Sequence, residues 1–184
     1  MNLWKELDAH GNAQEVINVI IEVKAGLRNK YVYETDKAFF VLEKVLAPSL
    51  RYPADVGIVP KTRGDDNEPL RAIVLAGEST FPGCIVQARP IGLLRVNKDG
   101  HRSDKLLAVA ISDPDYASIS EISGVPRSLL ENISTFFVEL GGLENATVEV
   151  IGWGGVDDAY KLVNHAVRLF REQQAMTQLN EEEQ

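Results

Sequence analysis

The sequence predicts a mixed α+β domain of mainly β character: a small β-barrel whose main helices arrive late in the chain. Three observations point there. Short segments rich in Val, Ile, Tyr and Phe recur from residue 16 to residue 111 with little helical periodicity between them. Pro48, Pro53, Gly57 and Pro60 break the middle of that stretch into loop and short extended pieces. Helical spacing of apolar residues begins only after Ser123.

Taken in order, the first fourteen residues are a polar lead-in with a short helix over Leu3 to Leu7. Val16 to Val23 is a nearly continuous apolar run, which suits a buried strand. Residues 30–34 and 38–46 are aromatic and β-branched strands separated by a turn at Thr35 to Lys37. Leu70 to Leu75 is a further strand, and a long one runs from Ile85 to Val96 with an interruption at Pro90. A turn over Asn97 to Ser103 leads into Leu106 to Ile111. Pro126 sits where a missing N–H costs nothing and opens a helix. That helix carries Leu129, Leu130, Ile133, Phe136, Phe137 and Leu140 on one face and ends at Gly141-Gly142. After a strand at Thr147 to Ile151, Asp157 or Asp158 caps a last helix with an apolar face of Tyr160, Val163, Val167 and Phe170. Residues 176–184 are polar and acidic and read as a disordered tail, which leaves one domain over residues 15–175.

Bulk properties bound the function. At 184 residues the chain suits one domain with a substantial core, and 45% apolar with 25% charged residues is ordinary for a globular protein. A net charge of −8 argues against a nucleic-acid or anionic-membrane partner, because both demand a basic surface. No apolar run approaches the roughly 18 to 20 residues that span a bilayer. Met1 to Glu6 lacks the apolar core of a signal peptide. The single cysteine, Cys84, has no internal partner for a disulfide, so the expected compartment is the reducing cytoplasm. Flanked by Gly83 and Ile85, its thiol reads as a small buried hydrophobe.

Six phrases fall in a familiar order. Asp66-Asn67-Glu68-Pro69-Leu70-Arg71 resembles the D-x-D-P-x-D element of the family I soluble inorganic pyrophosphatases. Tyr52 to Gly57 resembles that family's Y-P-x-N-Y-G, and Phe81 to Leu94 its F-P-G-x-x-x-x-x-R-P-[IV]-G-x-L stretch. Lys105 to Val109, Phe136-Phe137 and Gly152-Trp153 follow at family spacing. The resemblance covers Val16 to Phe170 and implies a five-stranded, OB-like closed barrel carrying two main helices, assembled as a hexamer or smaller homo-oligomer. It also implies Mg²⁺ held by acids, phosphate oxygens held by Lys, Arg and Tyr, and in-line attack of a metal-activated water on pyrophosphate.

Carried over residue by residue, the resemblance gives Glu22, Asp66 and Glu68 as metal ligands, with Asp66 and Glu68 as the catalytic acids of an active enzyme. It gives Lys30, Lys44, Tyr52 and Lys105 as phosphate ligands, Lys44 standing where the family has Arg. Elsewhere the pattern fails. Val32 and Val56 replace an acid and a Tyr, and Leu140-Gly141 replace a Tyr-Lys pair. Arg71, Lys98 and Ser103 stand at three positions where the family carries acids. Two acid-to-cation reversals, two acids lost to neutral residues and one lost lysine shift the formal charge by +5. A cation held roughly 5 Å from Mg²⁺ repels it by about 6 to 7 kcal/mol at an effective dielectric of about 20. The expectation is a degenerate, pseudoenzyme-like site that has lost Mg²⁺-dependent pyrophosphate hydrolysis; the alternative is a working diphosphatase with a rearranged site.

Two readings of the new cations stay open. Arg71 and Lys98 either pair with Glu22, Asp66 or Glu68 and neutralise the pocket, or join Lys30, Lys44 and Lys105 in a metal-independent site for phosphate or pyrophosphate. Asp99 and Asp104, one residue from the vacated acids, are the candidates to restore metal binding. His101 reads as a solvated loop residue, and no role is assigned to His10 or His165. Trp153 and Phe136-Phe137 read as core or subunit contact.

Overall fold

The computed structural model describes residues 1–11, 15–78 and 80–182. Residues 12–14 of the lead-in and 183–184 of the expected tail lie outside them. Strand β1 (Ile17–Val23) is buried along its whole length, as its nearly continuous apolar run suggests, with Asn18 and Glu22 buried among the apolar residues. It pairs antiparallel with β4 (Asp55–Ile58), Ile20 opposite Ile58, and with the first half of β6 (Ile85–Lys98), Val19 opposite Val86. From β4 the ladder passes to β5 (Arg71–Leu75), then in parallel to β8 (Lys105–Ala110), and from β8 back to β6. The pairings β1-β4-β5-β8-β6-β1 therefore return to their start, the five-strand ring expected from the resemblance.

Beyond the ring, β6 runs on to pair with β7 (His101–Arg102) and β9 (Val148–Gly154). The hairpin β2 (Asn29–Glu34) and β3 (Phe39–Val45) forms a separate two-stranded sheet, turning at Ala38 with φ 59°. Alternation along the strands divides the core. Ile73, Leu75, Leu107 and Val109 face the cluster built around Ile133, Phe136 and Leu140 of α2 (Arg127–Leu143). Ala72, Val74, Leu106 and Ala108 face the cluster that includes Ala159, Val163 and Ala166 of α3 (Val156–Glu182). The short helix α1 (Leu3–Glu6), capped by the Asn2 side chain, sets Trp4 edge-on to Phe170 with ring centroids 4.9 Å apart. The lead-in is thus anchored by one buried aromatic despite its polar composition.

Several boundaries differ from the sequence reading. β6 continues through Pro90, because the proline falls at a bulge between Pro90 and Gly92, where the ladder to β8 shifts register. α2 is preceded by Pro126 as its cap and runs past the two glycines to Leu143, with Asn145 taking the left-handed turn at φ 56°. Asp157 and Asp158 lie inside the first turn of α3 and do not cap it. That helix continues to Glu182, into the stretch the sequence reading gave as a tail. Cys84 is half-buried at the edge of the core, less enclosed than its apolar flanks imply. Among the described residues no helix is long and apolar enough to cross a membrane.

Strand β4, hidden in the Pro- and Gly-rich stretch, depends on Gly57. A Cβ there would lie 2.2 Å from the Ile20 carbonyl oxygen, so only glycine lets β4 approach β1 this closely. Gly57→Ala is expected to destabilise the fold by about 1 to 3 kcal/mol or more, read as a lower denaturant midpoint at unchanged slope.

Candidate functional site

A cleft of about 1410 Å³ lies between the β2–β3 hairpin, the mouth of the barrel and the ends of α2 and α3. It is lined by Glu22, Lys30, Lys44, Tyr52, Asp66, Glu68, Arg71, Lys98 and Lys105, so every site residue expected from the sequence reaches one place. Val32, Val56, Ser103, Leu140 and Gly141, the positions where the resemblance fails, line the same cleft. The residues come from β1, β2, β3, β4, β5, β6, β8 and α2, and, for Tyr52, Asp66, Glu68 and Ser103, from the loops between strands.

The floor is built around Glu22, whose side chain is 1% exposed on the buried strand β1. Its Oε1 accepts the Tyr33 backbone N–H at 2.8 Å, and its Oε2 is met by the Arg71 guanidinium in a short charge-assisted hydrogen bond. Glu22 first, then its hydrogen bond, keeps Arg71 firmly protonated against burial. Tyr52 stands nearby, its phenol pushed above the ordinary range by burial, so it offers a neutral O–H donor.

Beside this pair runs a polar chain. Lys105 Nζ donates to Ser103 Oγ at 2.8 Å, and Ser103 Oγ donates to Asp66 Oδ2 at 2.9 Å. Burial, with Arg71 close by, pulls the Lys105 ammonium down to about 8. The other Asp66 oxygen accepts the Glu68 backbone N–H at 3.1 Å, closing a turn in which Asn67 is left-handed at φ 64°. Asp65 of that turn meets His165 Nε2 of α3 at 2.8 Å, and Arg168 contacts the other ring nitrogen at 3.0 Å. Sequence reasoning gave His165 no part; its i, i+3 spacing to Arg168 was legible, but nothing in the chain marked Asp65 as its neighbour.

The upper rim holds the remaining cations. Glu144, just past α2, pairs with Lys30 and reaches Lys98 at 3.2 Å. Burial opposes ionisation of Glu144, but Lys30 and Lys98 together hold its carboxyl below the usual range. Lys44 Nζ donates to the Leu143 carbonyl at 2.5 Å, and Lys30 also pairs with Glu43 at 2.6 Å. The sequence reading missed Glu144 and assigned Lys98 to Glu22, Asp66 or Glu68 instead. Neither substitute acid is free: Asp104 accepts Arg102 Nε at 2.7 Å and the Val96 N–H at 3.1 Å, and Asp99 accepts the Thr147 N–H at 2.8 Å.

Fold and cleft together define a β-barrel domain with a polar, charge-lined pocket at its mouth. The inorganic pyrophosphatase family model matches residues 19–171. The inorganic pyrophosphatase of Haloferax volcanii is 37% identical over 173 residues, covering 94% of this chain and 98% of that one. That of a Nostoc species is 40% identical over 156 residues, covering 85% and 92%. The crystal structure of the Thermus thermophilus inorganic pyrophosphatase superposes with a TM-score of 0.86 at 30% identity, over 93% of this chain and 99% of that one. The chain belongs to the inorganic pyrophosphatase family.

The acids present do not fit the cluster of Mg²⁺ ions that the resemblance implies. Mg²⁺ requires converging oxygen ligands, and among the described residues no group of three or more His, Cys, Asp or Glu side chains could hold a metal ion. Glu22, Asp66 and Glu68 share the cleft without forming such a group. Glu22 is taken by Arg71, and Asp66 by Ser103.

Two outcomes follow. Arg71→Met strands a buried carboxylate and is expected to cost about 3 to 5 kcal/mol, whereas Arg71→Met combined with Glu22→Leu recovers most of that loss; chemical denaturation of the three variants gives the coupling. Sulfate, whose own charge is constant in this range, is expected to bind more weakly as pH rises through about 8, where Lys105 loses its proton. Lys105→Met should bind weakly at both ends of that range and flatten the profile, as read by calorimetry.

Proposed function

We propose that this chain binds a phosphate-class anion, phosphate or pyrophosphate, in the cleft and has lost the Mg²⁺-dependent hydrolysis of pyrophosphate. The Arg71 guanidinium seated on Glu22 carries the reading. The pair neutralises an acid of the floor, which opposes a metal cluster there. Lys105 and Lys44 support it further, because their partners are a hydroxyl and a carbonyl, which leave their charges uncancelled. Tyr52 adds a neutral donor.

The second reading is a working inorganic diphosphatase, converting pyrophosphate and water to two phosphates with Mg²⁺ as cofactor. It is favoured by relatives bearing the name inorganic pyrophosphatase at 37% and 40% identity over most of the chain. In that reading Asp66 and Glu68 serve as its acids, with Glu22 freed from Arg71. A cytoplasmic homo-oligomer, hexameric or smaller, belongs to both readings. The exposed Phe39, Leu42 and Val45 along β3 support self-association.

Phosphate release from pyrophosphate with Mg²⁺ or Mn²⁺ separates the two. Release indistinguishable from a protein-free control is expected, together with calorimetric binding of pyrophosphate in chelator that weakens in Lys98→Ala and Lys105→Met. Turnover in the ordinary enzyme range of about 1 to 1000 per second would establish the diphosphatase instead.

A further inference from the structure

The end of α2 presents the cleft with something shaped like a ligand. Leu143 carbonyl takes Lys44 Nζ at 2.5 Å, and the next side chain, Glu144, bridges Lys30 on β2 and Lys98 at the end of β6. Three cations from two hairpins thus converge on two adjacent oxygen acceptors of the same helix end. The backbone holds those acceptors in place: Glu144 N donates to Gly141 O at 2.9 Å, Asn145 turns left-handed, and Ala146 N returns to Gly141 O at 2.9 Å. Gly141 makes the approach feasible, since a Cβ there would lie 2.2 Å from Val148 Cγ2 of β9. Glu144 is only 20% exposed and Lys30 16%, so this contact is sheltered from solvent in a way that ordinary surface pairs are not.

We propose that Glu144 is a built-in occupant of the anion site, which an incoming ligand must displace, and that it sets the site's preference for polyvalent anions. The inference rests on the anion-binding reading above. A carboxylate carries one negative charge between Lys30 and Lys98. A monovalent anion replacing it gains no charge interaction and loses the preorganised cap. A phosphate or pyrophosphate group carries more charge and more acceptor oxygens, so it has a net advantage at the same two ammonium groups. Glu43 offers the natural contrast. It also pairs with Lys30, at 2.6 Å, but is 51% exposed and, among the described residues, makes no ion pair with Lys98.

Titration of pyrophosphate into the full chain in chelator tests this with Glu144→Gln, Glu144→Asp and Glu43→Gln. Glu144→Gln is expected to tighten pyrophosphate binding about three- to tenfold and to tighten inorganic phosphate as well. Glu144→Asp, which keeps the charge and shortens the reach, should move in the same direction by less, with Glu43→Gln close to wild type. Far-UV circular dichroism confirms that each variant is folded. Unchanged or weaker binding in Glu144→Gln, or an equal gain in Glu43→Gln, overturns the role of Glu144 while wild-type binding still supports the anion site. If neither wild type nor Glu144→Gln binds pyrophosphate, the anion site itself falls and this inference with it.

Discussion

The pairing of Glu22 with Arg71 is the contact around which the cleft is organised. A carboxylate in the middle of a wholly buried strand has lost its water, a loss of several kcal/mol that only a close opposite charge and hydrogen bonds offset. Arg71 supplies the charge from the first residue of β5, and Tyr33 supplies a backbone N–H from β2. These strands are not neighbours: β4 separates β1 from β5, and the β2–β3 hairpin belongs to another sheet. One acid therefore fastens the hairpin to the barrel across its mouth. A cation entering the floor would meet a guanidinium already in contact with the best-placed acid. The same pair that joins the hairpin to the barrel thus occupies the floor of the cleft.

How much of this was legible in the chain depended on how local the cause was. Strands β1, β2, β3 and β5 announced themselves because burial on both faces, or aromatic and β-branched content, leaves a direct mark on composition. Strand β4 did not: four residues containing a glycine resemble loop, and the reason for Gly57 is the Ile20 carbonyl on another strand. Pro90 read as a break because a proline lacks the N–H of a ladder, yet a bulge needs no N–H there. The end of α2 was placed just short of Leu143 because two glycines look like a stop, while the actual left-handed residue is Asn145. Which residues share the cleft was legible through the family resemblance, but their pairings only in part. Arg71 with Glu22 was one of the pairings the sequence offered, and tertiary distance selects it; Lys98 with Glu144 is a pairing that no spacing in the sequence encodes.

Electrostatics separate this cleft from a simple positive pocket. Its lining holds ten Asp and Glu side chains against seven Lys and Arg, so a net field does not draw anions in. Attraction rests on local placement. Arg71, Lys30, Lys98 and Arg102 are each balanced by a carboxylate, while Lys44 and Lys105 face neutral oxygens. An anion gains most where a cation lacks a carboxylate partner, or where it can replace one. In a chain of net charge −8, such a site favours ligands with concentrated charge over a diffuse polyanion.

Family membership and the state of the site are carried by different residues, which is why they can point different ways. The phrases that carry the resemblance include barrel-forming positions: Gly57 against Ile20, Tyr52 with its ring tilted against Phe136 at 4.6 Å, and Arg89 tied to the Ala117 and Ile119 carbonyls. A barrel does not by itself specify the chemistry at its mouth. The mouth is governed by a few side chains whose charges are locked to one another. Reversing Arg71 alone would leave Lys98, Ser103 and Val32 in place. Keeping Arg71 while restoring acids elsewhere would leave Glu22 engaged. On the anion-binding reading the departures act together: with Arg71 on Glu22 and Ser103 on Asp66, two of the remaining acids are partnered inside the protein.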